Sequence, residues 1–299
     1  FSLSRNVFDN SLDKFEDEIQ DESRRVLRVQ SQEWENKLRF DYNKFIKGWK
    51  LSTGLSAQYV GYRAELFNRI SNELLDNQGN VIEPARVISF DSDMNFWKYG
   101  AFFQASKNLF NERLLVSGGI RTDMNTFTST GNNPFKTLSP RLSAAYHVSS
   151  QWDINASIGS YFKIPPYTTL GYLDNAGKAL NSGLDYIQST HYVLGTQFLP
   201  RNDFRMTFET FYKRYTNYPV SVANGTSLAN QGAEYASVGS ERLLSTGDGE
   251  TYGFELFIQQ KLVDNLFYVG SYSYVISKFS GLDGKLLPSS WDNRHLLSL

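Results

Sequence analysis

The sequence predicts an all-β fold, a segment of a transmembrane antiparallel up-and-down β-barrel, from three observations. Apolar and polar residues alternate with a period of two, short and long connections follow one another in strict alternation, and charge is missing from one parity of the strands. Successive strand side chains point to opposite faces, so a period of two sorts residues into two environments.

The stretch from Ser189 to Lys213 shows the first observation. One parity carries Tyr192, Leu194, Phe198, Phe204, Phe208 and Tyr212, whereas the other carries His191, Gln197, Arg205, Glu209 and Lys213. The two halves read as strands joined by a five-residue turn at 199–203. By itself such a hairpin fits either a soluble sheet on a core or a strand pair facing lipid.

In chain order, Phe1 to Phe8 reads as a strand end, and the acidic stretch from Asp9 to Ser23 as a loop. Strands follow from Arg24 to Lys44 and from Trp49 to Tyr59, joined tightly through Lys47 and Gly48. The pattern dissolves from Gly61 to Asp93, which reads as a long loop. It resumes with Trp97 to Ala105 and Leu114 to Ile120, and after a loop at 124–138 with Leu142 to Tyr146 and Trp152 to Ile158. Pro165 and Pro166 end that strand, because consecutive prolines remove ladder donors. Beyond the 189–213 hairpin, residues 214–250 read as another loop, with the glycines at 247–249 as its punctuation. A last hairpin pairs Tyr252 to Ile258 with Leu266 to Tyr274, and a further strand starts at Arg294.

Connections near residues 47, 109, 150, 201 and 263 are short, and those beginning near 62, 124, 163, 214 and 278 are long. An up-and-down sheet whose rims face different compartments behaves this way, with short periplasmic turns and long outer loops. None of the apolar-parity positions is charged, while Lys50, Lys98, Arg121, Asp123, Arg141, Asp153, Arg205, Glu209, Lys213 and Glu255 lie on the other parity. A charge facing lipid at mid-depth costs about 2–4 kcal/mol, so a lipid-facing surface excludes it. Aromatics mark two levels: Trp49, Tyr146, Trp152, Phe198 and Phe204 flank short turns, and Tyr59, Tyr192, Tyr212, Tyr252 and Tyr272 lie toward the long loops. Phe204 and Tyr212 are about 27 Å apart along a strand, or about 20 Å along the membrane normal once tilted. That spacing matches a lipid belt between aromatic girdles.

Composition removes other classes. With 30 basic and 31 acidic residues in 299, the net charge of -1 builds no basic field for nucleic acid. There is no cysteine, hence no disulfide, thiolate metal site or cysteine nucleophile. No run of 18 apolar residues exists for a helical span. A mean hydropathy of -0.41 is compatible with a barrel, in which only every second strand residue faces lipid. The three histidines, His147, His191 and His295, are far apart, and no nucleophile elbow or phosphate loop is present. Neither an enzyme nor a bound cofactor or metal is expected.

Several stretches together resemble the β-barrel of TonB-dependent outer-membrane receptors. They are residues 114–123, 138–166 with its Ser-Pro-Arg strand start and Tyr-Phe-Lys-Ile-Pro exit, 252–256, 271–279 and 294–299. The resemblance implies a bacterial outer-membrane protein, and about 10–12 strands of an expected 22-stranded barrel. It implies partners as well: outer-membrane lipid, an N-terminal plug domain, the TonB inner-membrane complex, and a small-molecule or glycan ligand. Residues 1–299 are expected to be part of such a barrel, with the plug and final strands outside this chain, and to be unable to transport alone. The expected function is capture of an iron chelate, haem, cobalamin or glycan and its TonB-driven import; the alternatives are a passive porin and a soluble carbohydrate-binding β-sandwich.

Two sets of candidate site residues follow. Arg121, Asp123, Arg141, Arg205, Glu209 and Glu255 would line the lumen or touch the plug, either as a hydrogen-bonded wet wall or as a substrate path. Tyr167, Tyr172, Tyr186, Tyr218, Tyr235 and Trp291 fall in the long loops, where aromatic faces either stack on a ligand or pack the loops.

Overall fold

A computed structural model describes residues 1–174, 176–232, 239–263 and 265–299. The period-two stretches form β1 (Ser2–Phe15), β2 (Arg25–Ile46), β3 (Trp49–Ser71), β4 (Leu74–Leu75), β5 (Val81–Glu83), β6 (Arg86–Leu109), β7 (Leu114–Asn125), β8 (Ser139–His147) and β9 (Trp152–Lys163). After the one-turn helix α1 (Tyr167–Leu170) come β10 (Ile187–Arg201), β11 (Phe204–Ser221), β12 (Leu243–Val263), β13 (Leu266–Ser280), β14 (Leu286–Pro288) and β15 (Arg294–Ser298).

Apart from the β4–β5 hairpin, all strands join one antiparallel sheet in chain order, with β14 and β15 both paired to β13. Each long strand therefore lies beside the one before it, as the alternating connections predicted. Short turns are tight: Lys47 and Gly48 both have positive φ, 49° and 79°, the geometry that matches strand twist in a two-residue hairpin. The sheet is an open arc rather than a closed barrel.

Between the two aromatic levels the register carries the apolar parity from strand to strand without a slip. Phe208 lies opposite Thr196 and Leu256, and Tyr192, Tyr212 and Tyr252 form one row across three strands. Trp152 packs on Phe198 at 4.9 Å and donates from Nε1 to Thr196 at 2.6 Å. On the other rim Trp34, Tyr59 and Trp97 form a ladder at 5.3 and 5.0 Å. Gly61 makes room for it, since a Cβ there would sit 2.1 Å from the Trp34 ring. Leu38, Leu55, Phe103, Ile120, Leu142, Ile158, Leu194 and Leu297 are 42–68% exposed. In a soluble sandwich these rows would be the buried core; among the described residues no second sheet covers them. The lipid reading fits and the sandwich does not.

The strands are longer than the sequence pattern suggests. β1 runs to Phe15, β3 continues to Ser71, β6 begins at Arg86, β11 reaches Ser221 and β12 starts at Leu243, so the expected loops at 9–23, 61–93 and 214–250 shrink. The turn at 199–203 shrinks too, to the two residues between β10 and β11. In β2, β3 and β6 the alternation does not stop; it changes phase. Above the Trp34–Tyr59–Trp97 ladder the outward row becomes Gln32, Arg63, Glu65, Asp91 and Asp93, while Leu27, Val29, Tyr62, Leu66, Met94 and Phe96 turn inward and are 3–7% exposed. Outside the lipid the outer face meets water, and the inner face is where the long loops fold. The hydrophobic side therefore switches.

Candidate functional site

The loop end of the inner face holds most of the aromatic candidates. Residues 164–174 and 176–186 fold back as a strap against β3 and β6. Tyr167 packs edge-on to Phe96 at 5.5 Å and near Tyr62 at 6.2 Å, and it joins Val60, Met94, Leu170, Leu184 and Leu243 in one buried cluster. Its hydroxyl donates to Glu35 at 2.9 Å and accepts from Lys98 at 2.8 Å, and Lys98 also donates to Glu35 at 2.8 Å. Burial, then the Glu35 carboxylate, pushes the Tyr167 phenol well above its ordinary pKa. Tyr186 is also buried, and Tyr172 lies edge-on to Phe90 at 5.3 Å. Tyr167 and Tyr186 are thus buried in protein contacts, and Tyr172 is half-buried. Asn181, 1% exposed, ties the far end: its amide donates to the carbonyls of Thr169 and Glu241, and its oxygen accepts from the N–H of Leu243.

Tyr218 and Trp291 are arranged differently. β11 gains one residue against β12 between Tyr215 and Tyr218, where Asn217 has φ 59°. A bulge of this kind re-aims the side chains beyond it, so Tyr218 falls on the inner face opposite Gly247. Phe279, 1% exposed, lies over Gly249 and meets Tyr215 at 5.1 Å, Tyr218 at 4.6 Å and Trp291 at 5.7 Å. Gly247 and Gly249 thus belong to β12 rather than to a loop, and Gly249 is the notch that admits the Phe279 ring. Beside this cluster opens a cavity of about 460 Å³ lined by Tyr161, Phe162, Lys163, Pro166, Thr169, Tyr215, Tyr218 and Trp291, among others. Its lining includes no carboxylate among the described residues. Tyr235 lies outside the described residues.

Sequence reasoning placed Tyr218 and Trp291 in loops and missed Tyr161, Tyr215 and Phe279. Tyr161 had a visible signal, a tyrosine ending the inner row Asp153, Asn155, Ser157 and Gly159. Tyr215 lay inside a presumed loop.

The six charged candidates all lie on the face opposite the exposed apolar rows, in two groups. Arg121 holds Asp123 through two bonds of 2.7 and 2.5 Å, and Arg141 stacks over Tyr161 at 4.3 Å. Arg205, Glu209 and Glu255 line a recess of about 320 Å³ with His147 and Asp153, and Glu209 sits directly across from Glu255. Among the described residues no cluster of three or more metal-ligating side chains forms.

The β-barrel family model of TonB-dependent receptor-like proteins matches residues 2–299. No curated protein matches the sequence significantly. Among solved structures, the pyoverdine outer-membrane receptor FpvA from Pseudomonas aeruginosa PAO1 superposes with a TM-score of 0.64 at 16% identity, covering 99% of this chain and 44% of that one. The copper transporter OprC gives 0.63 at 17% identity, over 96% and 43%. The ferric citrate transporter FecA gives 0.58 at 13% identity, over 98% and 42%. The chain thus spans less than half the length of these structures, which are receptors and transporters, not enzymes. The family match across the chain, the exposed apolar belt between aromatic rows and the superposition on outer-membrane receptors lead to one conclusion: this chain belongs to the β-barrel family of TonB-dependent receptors, of the bacterial outer membrane.

Proposed function

We propose that the intact protein captures a scarce ligand at the extracellular end of its barrel and imports it with TonB-derived energy, through a plug domain that fills the lumen. The aromatic cavity at the loop end of the inner face carries this reading. Its volume of about 460 Å³ falls in the range of small-molecule sites, which are concave, mostly apolar and marked by a few polar groups. Aromatic walls give contact area to a ring at low entropic cost. A lining that holds Lys163 and, among the described residues, no carboxylate favours a ring-bearing neutral or anionic ligand, such as an iron chelate, haem or a glycan, over a hydrated cation. Two of the related structures fit that range, with pyoverdine bound to FpvA and ferric citrate named for FecA, whereas OprC is named for copper.

Uptake by the full-length protein is the test. Cells expressing it are offered a panel of radiolabelled iron chelates, haem, cobalamin and oligosaccharides, with and without a functional TonB complex. Uptake of one ligand should require TonB and fall at least about tenfold in a Tyr218→Ala, Trp291→Ala double variant, since losing two stacking contacts removes more than about 1.4 kcal/mol. TonB-independent diffusion would instead identify a porin, and unchanged uptake in the double variant would remove the cavity from the ligand path.

A further inference from the structure

We propose that Lys98, Glu35 and Tyr167 form a releasable latch that holds the strap, through α1, on the inner wall and so positions one wall of the aromatic cavity for ligand. The positioning role rests on the cavity being the ligand site. α1 is a single turn, and residues three apart on a turn share a side. Tyr167 and Leu170 pack in the wall cluster with Val60 and Phe96, whereas Pro166 and Thr169 line the cavity. One short element therefore faces the wall and the cavity at once.

The polar contacts form a closed ring of three hydrogen bonds, each of 2.8–2.9 Å. Their ownership matters more than their number. Glu35 belongs to β2 and Lys98 to β6, so the ion pair is built into the wall and stays paired when Tyr167 leaves. Undocking strands no buried charge, the step that makes most buried ion pairs costly to break. What undocking gives up is the Tyr167 hydroxyl's pair of bonds, its ring contacts and the burial of Leu170 in the same cluster. Asn181, at the strap's other end, stays bonded to the Glu241 carbonyl and the Leu243 N–H, so the strap remains tethered there when α1 leaves, and the Asn181 bond to the Thr169 carbonyl is given up with α1. A ligand touching Pro166 and Thr169 binds the docked strap better than the undocked one. A weaker latch then lowers apparent affinity by the fraction of strap still docked.

The test uses the full-length receptor in detergent micelles. Spin labels at Thr168 on the strap and Ser89 on β6, both exposed, report the strap-to-wall distance by double electron-electron resonance. The unaltered latch should give one narrow distribution, Tyr167→Phe and Lys98→Met a broad one, and Lys98→Arg, which keeps the charge and donors, a narrow one. In parallel, 2-naphthalenesulfonate serves as an anionic ring probe, followed by tryptophan fluorescence. Its dissociation constant should rise about tenfold in Tyr167→Phe, the equivalent of one charge-assisted hydrogen bond, with the barrel's melting temperature unchanged. A narrow distribution in both Tyr167→Phe and Lys98→Met overturns the latch. A broad distribution with unchanged probe affinity overturns the positioning role. If the probe fails to bind even the unaltered receptor, the cavity assignment and the positioning role fall together, and the distances still decide whether the latch holds the strap.

Discussion

Replacing Phe208 by arginine probes the face assignment midway between the two aromatic levels. Phe208 lies midway along β11 between Phe204 and Tyr212, which mark the two aromatic levels, and its ring packs at 5.7 Å on Phe254 of the next strand. An arginine facing the bilayer midplane costs about 2–4 kcal/mol. Losing the aromatic pair adds about 0.5–1.5 kcal/mol, for a total of about 3–5 kcal/mol. Thr207 is the matched control, since it lies one residue away on the opposite face, in the recess with Arg205 and Glu209. Thr207→Arg meets water and polar groups and should change stability by no more than about 1 kcal/mol. The assay is guanidinium unfolding of the full-length receptor folded into phosphatidylcholine vesicles, read by tryptophan fluorescence. Equal costs at the two positions, or a larger cost at Thr207, would refute the assignment of the apolar parity to lipid. A nitroxide at Phe208 gives an independent reading: oxygen dissolved in lipid should relax it, and a water-soluble nickel chelate should not.

Gly249→Val should dismantle the aromatic cluster, because a Cβ at Gly249 would stand 2.3 Å from the ring of Phe279, which is 1% exposed and would be driven from its seat against Tyr215, Tyr218 and Trp291; ligand-probe binding should be lost while the barrel stays folded, and retained binding would count against the cluster as the cavity's support. Asn181→Leu leaves the N–H of Leu243 and the carbonyls of Thr169 and Glu241 without their partner, at about 1–3 kcal/mol for each group left buried and unpaired; amide exchange across 165–184 should accelerate, and unchanged protection would contradict it. The Asp76 carboxylate accepts from the N–H groups of Gln78 and Asn80 and from the Asn80 side chain, and these bonds hold its pKa below the ordinary 3.8. A lowered folded pKa stabilises above the unfolded value and is lost as pH falls through the folded one. The β4–β5 hairpin should therefore keep its amide protection at neutral pH and lose it below about pH 4, and Asp76→Ala should behave at all pH values like the acid form.

How much was legible in the sequence depended on which solvent each face meets. Within the lipid belt the two faces of a strand differ most, so Leu194, Phe208 and Phe254 against Arg205, Glu209 and Glu255 could be sorted by parity alone. The alternation of connection lengths gave the up-and-down order, because neighbouring strands in such a sheet turn at opposite rims. The resemblance at 138–166 pointed to the family. Above the girdle the same alternation was present but inverted, and Tyr62, Leu66, Met94 and Phe96 read as noise because the reading assumed one phase throughout. The inversion follows from contacts that the local sequence does not record: the strap, remote in the chain, packs on Tyr62, Met94 and Phe96, and Leu66 packs with Leu27 and Val29 of β2, while water covers the outer face.

By itself the sequence determined the all-β class, the strand order, the lipid-facing parity and the identity of the polar face, since each rests on local periodicity or on a connection's length. Only the tertiary structure decided which aromatics meet. The Asn217 bulge turns Tyr218 inward, the Gly249 notch seats Phe279, and Tyr167 spends its hydroxyl on Glu35 and Lys98, residues 132 and 69 positions away in the chain. Such choices depend on register shifts of a single residue and on which distant strand supplies the partner, and period-two patterning is blind to both.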